Sequence, residues 1–493
     1  MVNHRLLHLP VRNVPLPQAD LPLLLLLPLP TSLHRFPLSC SRPLSPPPSP
    51  VLLPLLRIAL PTIAALASRT AMSFVDFLMV SGLGVDEQAA IVPATVVVFA
   101  VVSCGMGYTT SVSTLCAQAF GRDTDADRAQ AGVIGWQGLW VSLVFGAAGL
   151  LLWPLVPWIF SAADHTPEVQ RLETAYVQIA LLGVFPTVAA MALSNFFSAI
   201  QRPAVTFWAT VVANLCNLGG NWLLIRGNLG FPALGIEGAA WATTAAAFVQ
   251  AGVLVAWMLR PKVRAAFRTW PVRSWDPSVQ RRMLALGTPA GFQSGLEFLF
   301  FGVFIVVLLA GLGTVPAAAS NIAFKFSEIA FMPCIGVSVA VTALVGESIG
   351  AGNPERARRT VSVAMRLSAA WIGCTGAVAF FGGPWIVGAV AADEEVRRLG
   401  VVLLWIGVSF QWSDAVQFVY LGALRGAGDN RFPAVFTLFS ATAVLLGGGW
   451  VAVTHFDRYA PHAAWVALSS YVAAQAVAFW WRWRRGKWET LEV

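Results

Sequence analysis

The chain has 493 residues, of which 57% are hydrophobic and 11% charged, with a formal net charge of +8. An ordinary soluble domain carries about 25% charged residues, so the composition excludes a soluble globular protein and indicates a chain built into a bilayer. The basic balance is read as arginine-rich loops at a membrane surface, not as a nucleic-acid footprint. None of the six cysteines forms a CxxC pair, which argues against a disulfide framework or a zinc site.

In chain order, residues 1–50 are rich in proline, leucine and serine and are expected to form a disordered tail or to follow from a mis-assigned start codon. The run from Leu21 to Leu27 resembles a signal-peptide core, but prolines bracket it and no small-residue cleavage site follows. From Val51 onward the apolar runs predict twelve membrane-spanning helices, at 52–81, 89–116, 130–158, 170–198, 203–226, 237–259, 281–310, 316–345, 357–387, 396–424, 433–453 and 463–481. Loops after even-numbered spans hold most of the lysine and arginine, among them Arg122, Arg128, Arg202, Arg356, Arg425 and Arg431. The positive-inside rule therefore puts both termini in the cytoplasm, and the expected location is the plasma (cell inner) membrane. The basic stretch 260–282, RPKVRAAFRTWPVRSWDPSVQRR, is expected to be a solvated cytoplasmic linker. It would join an N-lobe (51–259) to a C-lobe (283–484), with 485–493 as a cytoplasmic tail.

The two halves repeat each other. Pro61 and SGLG ending at Gly84 correspond to Pro289 and AGLG ending at Gly313, and LCAQAFG ending at Gly121 corresponds to LVGESIG ending at Gly350. RPAV at Arg202 pairs with FPAV at Phe432, and the offset stays near 229 residues throughout. Six spans per half make a parallel repeat, whose interface is expected to hold a substrate path. The fold class is thus an all-α polytopic membrane protein of twelve helices in two six-helix pseudo-repeat lobes.

Polar residues inside apolar spans mark candidate sites, because a charge at the bilayer centre costs at least about 2.5 kcal/mol on insertion scales. Asp414 lies in the tenth span, with Gln411 and Gln417 three residues to either side and therefore on one helix face. Asp76 in the first span and Glu297 in the seventh are the other candidate carboxylates. In the fifth span Asn214, Asn217 and Asn221 form a polar stripe that serves either function or helix packing. Arg69 and Lys325 are cations inside spans. Arg69 is positioned to neutralise Asp76 or Glu297; Lys325 is positioned to pair with Glu328 or to reach Asp414.

These residues carry a resemblance. FVDFLMVSGLG, LCAQAFGR, NLGGNWLLIRGNLGFPALGIEGAAWAT, GTPAGFQSGLEF, LVGESIGAGNPERAR and the stretch from Trp405 to Pro433, in this order, resemble the multidrug and toxic compound extrusion family and within it the NorM-like branch. The resemblance implies two lobes forming a V around a central cavity, and export of small organic, cationic or amphiphilic compounds by antiport with sodium ions or protons. It implies ion- or substrate-binding roles for Asp76, Glu297, Asp414, Asn217, Asn221, Gln293, Gln411 and Gln417. Sodium at Asp76 or at Glu297 and Asp414 is the one metal it allows; no other cofactor is expected. The expected partners are the cargo and the lipid bilayer, without nucleic acid, and the chain is expected to be a monomer and not an enzyme. Arg69 and Lys325 depart from the family pattern, which usually has neutral amides there. They are read as charge modulators, with Glu328, that shift cargo toward anions, or as cations that snorkel or pair locally.

Two rival readings remain at this point. A flippase for lipid-linked or anionic metabolites shares the two-lobed architecture. GAGD, from Gly426 to Asp429, matches an intramembrane aspartyl protease signature, but Asp414 lies in the same helix roughly 20 Å away at 1.5 Å per residue, so these two cannot form a dyad.

Overall fold

In the computed structural model, which describes residues 51–161, 165–391 and 393–490, long helices follow directly from the apolar runs. The expected tail at 1–50 lies outside the described residues. The N-half comprises α1 (Leu52–Ser81), α2 (Val85–Arg122), α3 (Asp125–Leu151), α4 (Val156–Ser161), α5 (Pro167–Leu182), α6 (Val184–Ala199), α7 (Pro203–Leu224) and α8 (Gly235–Met258). After α9 (Pro261–Phe267), the C-half comprises α10 (Pro277–Val303), α11 (Thr314–Gly350), α12 (Pro354–Gly388), α13 (Glu394–Gly426), α14 (Arg431–Ser440), α15 (Gly448–His455) and α16 (Ala460–Arg484). Side-chain caps set several starts: Thr124, Thr166, Asp276, Asn353 and Asp393 each accept from a backbone N–H of the helix they precede.

Among the described residues ten helical stretches are long and apolar enough to cross a membrane, and α5 with α6 makes one further span, bent by 46°. The twelfth is α7, whose three asparagines lower its hydropathy below that of its neighbours. The twelve expected spans are therefore present, several of them longer than their apolar cores. The second runs to Arg122 and the eighth to Gly350, because polar ends continue the helix beyond the hydrocarbon-length run. Two spans also contain a π-helical segment, Phe304–Leu309 and Ala441–Gly447, and Gly449 in α15, just after the second, meets Phe304 and Leu308 of the first.

The linker keeps Arg260, Lys262, Arg264 and Arg268 exposed, while its backbone is held more firmly than a free loop. It docks on α3: the indole Nε1 of Trp136 donates to the Thr269 carbonyl at 2.9 Å, and that of Trp140 to the Arg273 carbonyl at 2.8 Å. Gln137 donates to the Ser274 carbonyl at 2.7 Å and accepts from the Asp276 amide at 3.1 Å. Four buried or half-buried backbone groups are thereby satisfied by one face of α3.

The halves meet through α1 and α2 on one side and α10 and α11 on the other, at their linker-side ends and up to mid-span. Phe99 packs on Phe298 with ring centroids 4.6 Å apart. Gly107 lies against the backbone of Ala290 and Gly291, and Gly336 lies against Ile63. Gly121 abuts the Glu347 carbonyl and Gly350 abuts the Gln118 carbonyl, a reciprocal pair that follows from the repeat and leaves no room for a side chain at either glycine. Gln118, Gly121, Glu347 and Gly350 therefore pack lobe against lobe within continuous helices.

Candidate ion and substrate site

The C-half gathers the deepest polar cluster. Asp414 is 4% exposed, and Gln411 and Gln417 on the same face of α13 are buried with it. Gln417 donates to Gln475 Oε1 of α16 at 2.5 Å. Glu297 projects from α10 into the same electrostatic environment: Asp414 is its like-charge neighbour, Arg425 the opposing charge, and Gln417 and Tyr471 stand beside it. Gln293, one turn before Glu297, is buried, donates to Thr437 Oγ1 at 3.2 Å and accepts from Arg425 Nη2 at 3.4 Å.

Several polar atoms around the two acids lack a hydrogen-bond partner although they are buried. They are both amide atoms of Gln411, Nε2 of Gln475 and the Ser368 hydroxyl. Buried polar groups are normally satisfied, and clusters of exceptions call for a functional explanation. Oxygen donors flanking two carboxylates suit a hard monovalent cation, a proton or a polar cargo group.

A second cluster lies toward the far end of the N-half. Asn221 Nδ2 donates to Asp76 Oδ1 at 2.5 Å and to Asn217 Oδ1 at 3.2 Å, and Asn217 donates to Thr243 Oγ1 at 3.1 Å. Asn214 instead holds α7 to α1 by donating to the carbonyl and hydroxyl of Ser68, at 3.0 and 2.7 Å. The stripe thus divides: Asn217 and Asn221 extend a chain of amides from Asp76, while Asn214 packs helices. The oxygen of Asn221 is buried without a partner.

The pairings expected for the two intramembrane cations are corrected in part. Arg69 is exposed on the Asp76 side of α1, and no ion pair within 4 Å joins it to Asp76 or Glu297 among the described residues. Seven residues of helix separate Arg69 from Asp76, and Asn221 already occupies the Asp76 carboxylate. Lys325 pairs with Glu328 at 2.9 Å and its side chain is otherwise 81% exposed, so it stays on its own helix and does not reach the buried Asp414.

Sequence reasoning missed Arg425, Tyr471 and Gln475 in the first cluster, and two buried acids outside both clusters, Glu173 and Asp429. Arg425 looks like a loop cation, yet its guanidinium turns inward from the last turn of α13. Tyr471 and Gln475 lie four apart in the last span, a spacing that signals one polar face. Glu173 is fully buried in α5 and pairs with His165 at 3.0 Å; its neighbour one turn on, Tyr176, feels the charge of Asp76. Asp429 of the GAGD stretch is buried against Arg482 at 2.6 Å, a structural ion pair and not half of a catalytic dyad. A cavity of about 350 Å³ bounded by Tyr108, Phe145, Trp275 and Phe292 is almost wholly apolar and stands apart from the carboxylates.

Comparison with known proteins places this geometry. The family profile described as MatE matches residues 61–223 and again 289–450, so its two copies begin at Pro61 and Pro289, the repeat anchors read from the sequence. A protein of Rhizobium meliloti (strain 1021) named "Probable multidrug resistance protein NorM" is 30% identical over 394 residues, covering 78% of this chain and 83% of its own. The protein of the same name from Rhodopseudomonas palustris is 30% identical over 439 residues, covering 87% and 90%. Among solved structures, a MATE protein in complex with MaL6 superposes with a TM-score of 0.81 at 18% identity, covering 90% of this chain and 98% of that one. A eukaryotic MATE transporter superposes with 0.78 at 20% identity, covering 89% and 96%.

Proposed function

This chain belongs to the MatE family of multidrug and toxic compound extrusion transporters, and we propose that it exports small organic cations and amphiphiles across the cell inner membrane. It is a multidrug efflux antiporter, embedded in the bilayer and driven by an ion gradient. Sodium ions or protons drive the exchange, and both termini face the cytoplasm. The protein works as a monomer and carries out no bond-making step.

The observation that carries the site assignment is the buried Asp414 beside the half-buried Glu297, among amide and hydroxyl groups that have no protein partner. Two carboxylates in a low-dielectric bundle are each costly when ionised. Their shared pocket is relieved by a proton, a sodium ion or a cationic cargo, and occupation by one lowers its affinity for the others. Mutual exclusion at one site is antiport, since the favourable binding of the coupling ion displaces the cargo on the outward side. Asp76, with Asn221, Asn217 and Thr243, forms the second ion-binding cluster, and Gln293, Gln411 and Gln417 line the first. Lys325, closed locally by Glu328, leaves cargo preference to the acids, and Arg69 stays exposed without an ion pair to Asp76 or Glu297 among the described residues.

The test is ethidium efflux from membrane vesicles under separately imposed sodium and proton gradients, with Glu297→Gln and Asp414→Asn compared with wild type. Efflux driven by one of the gradients and lost in both variants is expected. Wild-type vesicles that retain ethidium under both gradients would refute the assignment and return the flippase reading for anionic cargo.

A further inference from the structure

We propose that Arg425 is the internal counter-cation of the C-lobe acids and that it ties their occupancy to the contact between the lobes. The proposal rests on the antiport reading and concerns the residue that couples ion binding to movement. Two independent sets of contacts converge on Arg425. Its side chain reaches into the acid cluster: Nη2 donates to Gln293 Oε1 at 3.4 Å, one helical turn from Glu297, and Nε is buried without a hydrogen-bond partner. Its backbone belongs to the lobe junction: the Arg425 carbonyl accepts from Thr114 Oγ1 of α2 at 2.7 Å, and the next carbonyl, Gly426, accepts from Gln118 Nε2 at 3.2 Å. One residue therefore touches the ion site with its guanidinium and the opposite lobe with its main chain.

The physical consequence follows from charge. With Glu297 unoccupied, the guanidinium is drawn toward the carboxylate, and the last turn of α13 is fixed where Thr114 and Gln118 can donate to it. A proton or sodium ion on Glu297 removes that attraction, and a sodium ion also repels the guanidinium. The last turn of α13 then loses its tether, and the junction bonds weaken. Arg425 thus makes the acids bind the coupling ion less tightly than they otherwise would, and converts that cost into a signal at the junction. Reciprocity requires that loosening the junction tighten ion binding.

The experiment measures ethidium efflux against coupling-ion concentration in vesicles, for wild type, Arg425→Gln, Arg425→Lys and Thr114→Val, with transporter abundance fixed by immunoblot. Arg425→Gln is expected to lower the half-saturating ion concentration about fivefold, the small end of the range seen for coupled sites, and to lower the maximal rate. Arg425→Lys, which keeps the charge, is expected to restore the wild-type value. Thr114→Val, which removes the donor to the Arg425 carbonyl and otherwise only a bond to Thr110 within α2, is expected to shift half-saturation in the same direction by a smaller factor, and carries the test if Arg425→Gln accumulates poorly. Unshifted half-saturation in Arg425→Gln and Thr114→Val, or an equal loss in Arg425→Lys, would overturn the proposal while leaving antiport standing. A wild type without ion-driven efflux would overturn both.

Discussion

Asp414 gives up its hydration in a place where an amide would cost far less. Asp414→Asn keeps the shape and removes the charge, so purified protein should melt at or above the wild-type temperature while ion-driven efflux falls to background; a lower melting temperature would mark the carboxylate as structural. Asp429 makes the opposite case. Its pair with Arg482 is buried and short, and breaking a buried pair by removing one partner typically costs about 3–5 kcal/mol. Asp429→Ala should therefore destabilise by roughly that amount in chemical unfolding. The three acids and the flanking glutamines were legible in the sequence because a polar residue in an apolar run announces itself without a partner. Arg425 was not, since an arginine at a helix end usually snorkels to the headgroups, and only the inward return of α10 shows that it has a buried acceptor.

At the scale of single elements, the apolar runs locate all twelve spans, and α7, the one with a polar stripe of three asparagines, is informative. The asparagines that make α7 less apolar are the ones that carry the Asp76 network and hold α7 to α1. Asn221→Ala removes a hydrogen bond to a charged group, worth about 1.5–3 kcal/mol, and a matching loss should appear in thermal unfolding. The exposed arginines of the linker announce solvent in the sequence, but nothing there announces that its backbone groups are claimed by α3. Gln137 alone bonds Ser274, Asp276 and Gln280. Gln137→Leu should consequently expose the linker, raising tryptic cleavage after Arg268 and Arg273 in membranes with that face accessible. Unchanged cleavage would show that the two tryptophans suffice.

For the whole molecule, the repeat read from three short anchors becomes a physical symmetry at the junction, where Gly121 faces Glu347 and Gly350 faces Gln118. Gly350→Val overpacks this contact, a change that typically costs about 1–3 kcal/mol; the protein should lose that stability and transport poorly even with both acid clusters intact. The sequence could announce the repeat, since it needs only matching spacing, but not which residues from different helices share a pocket. Proteoliposomes without nucleotide test the central claim most directly: an ethidium gradient is imposed, and sodium and proton movement is recorded in wild type and Asp414→Asn. Ion movement opposite to the dye, absent from the variant, is the predicted result. Dye movement with neither ion moving against it would contradict antiport.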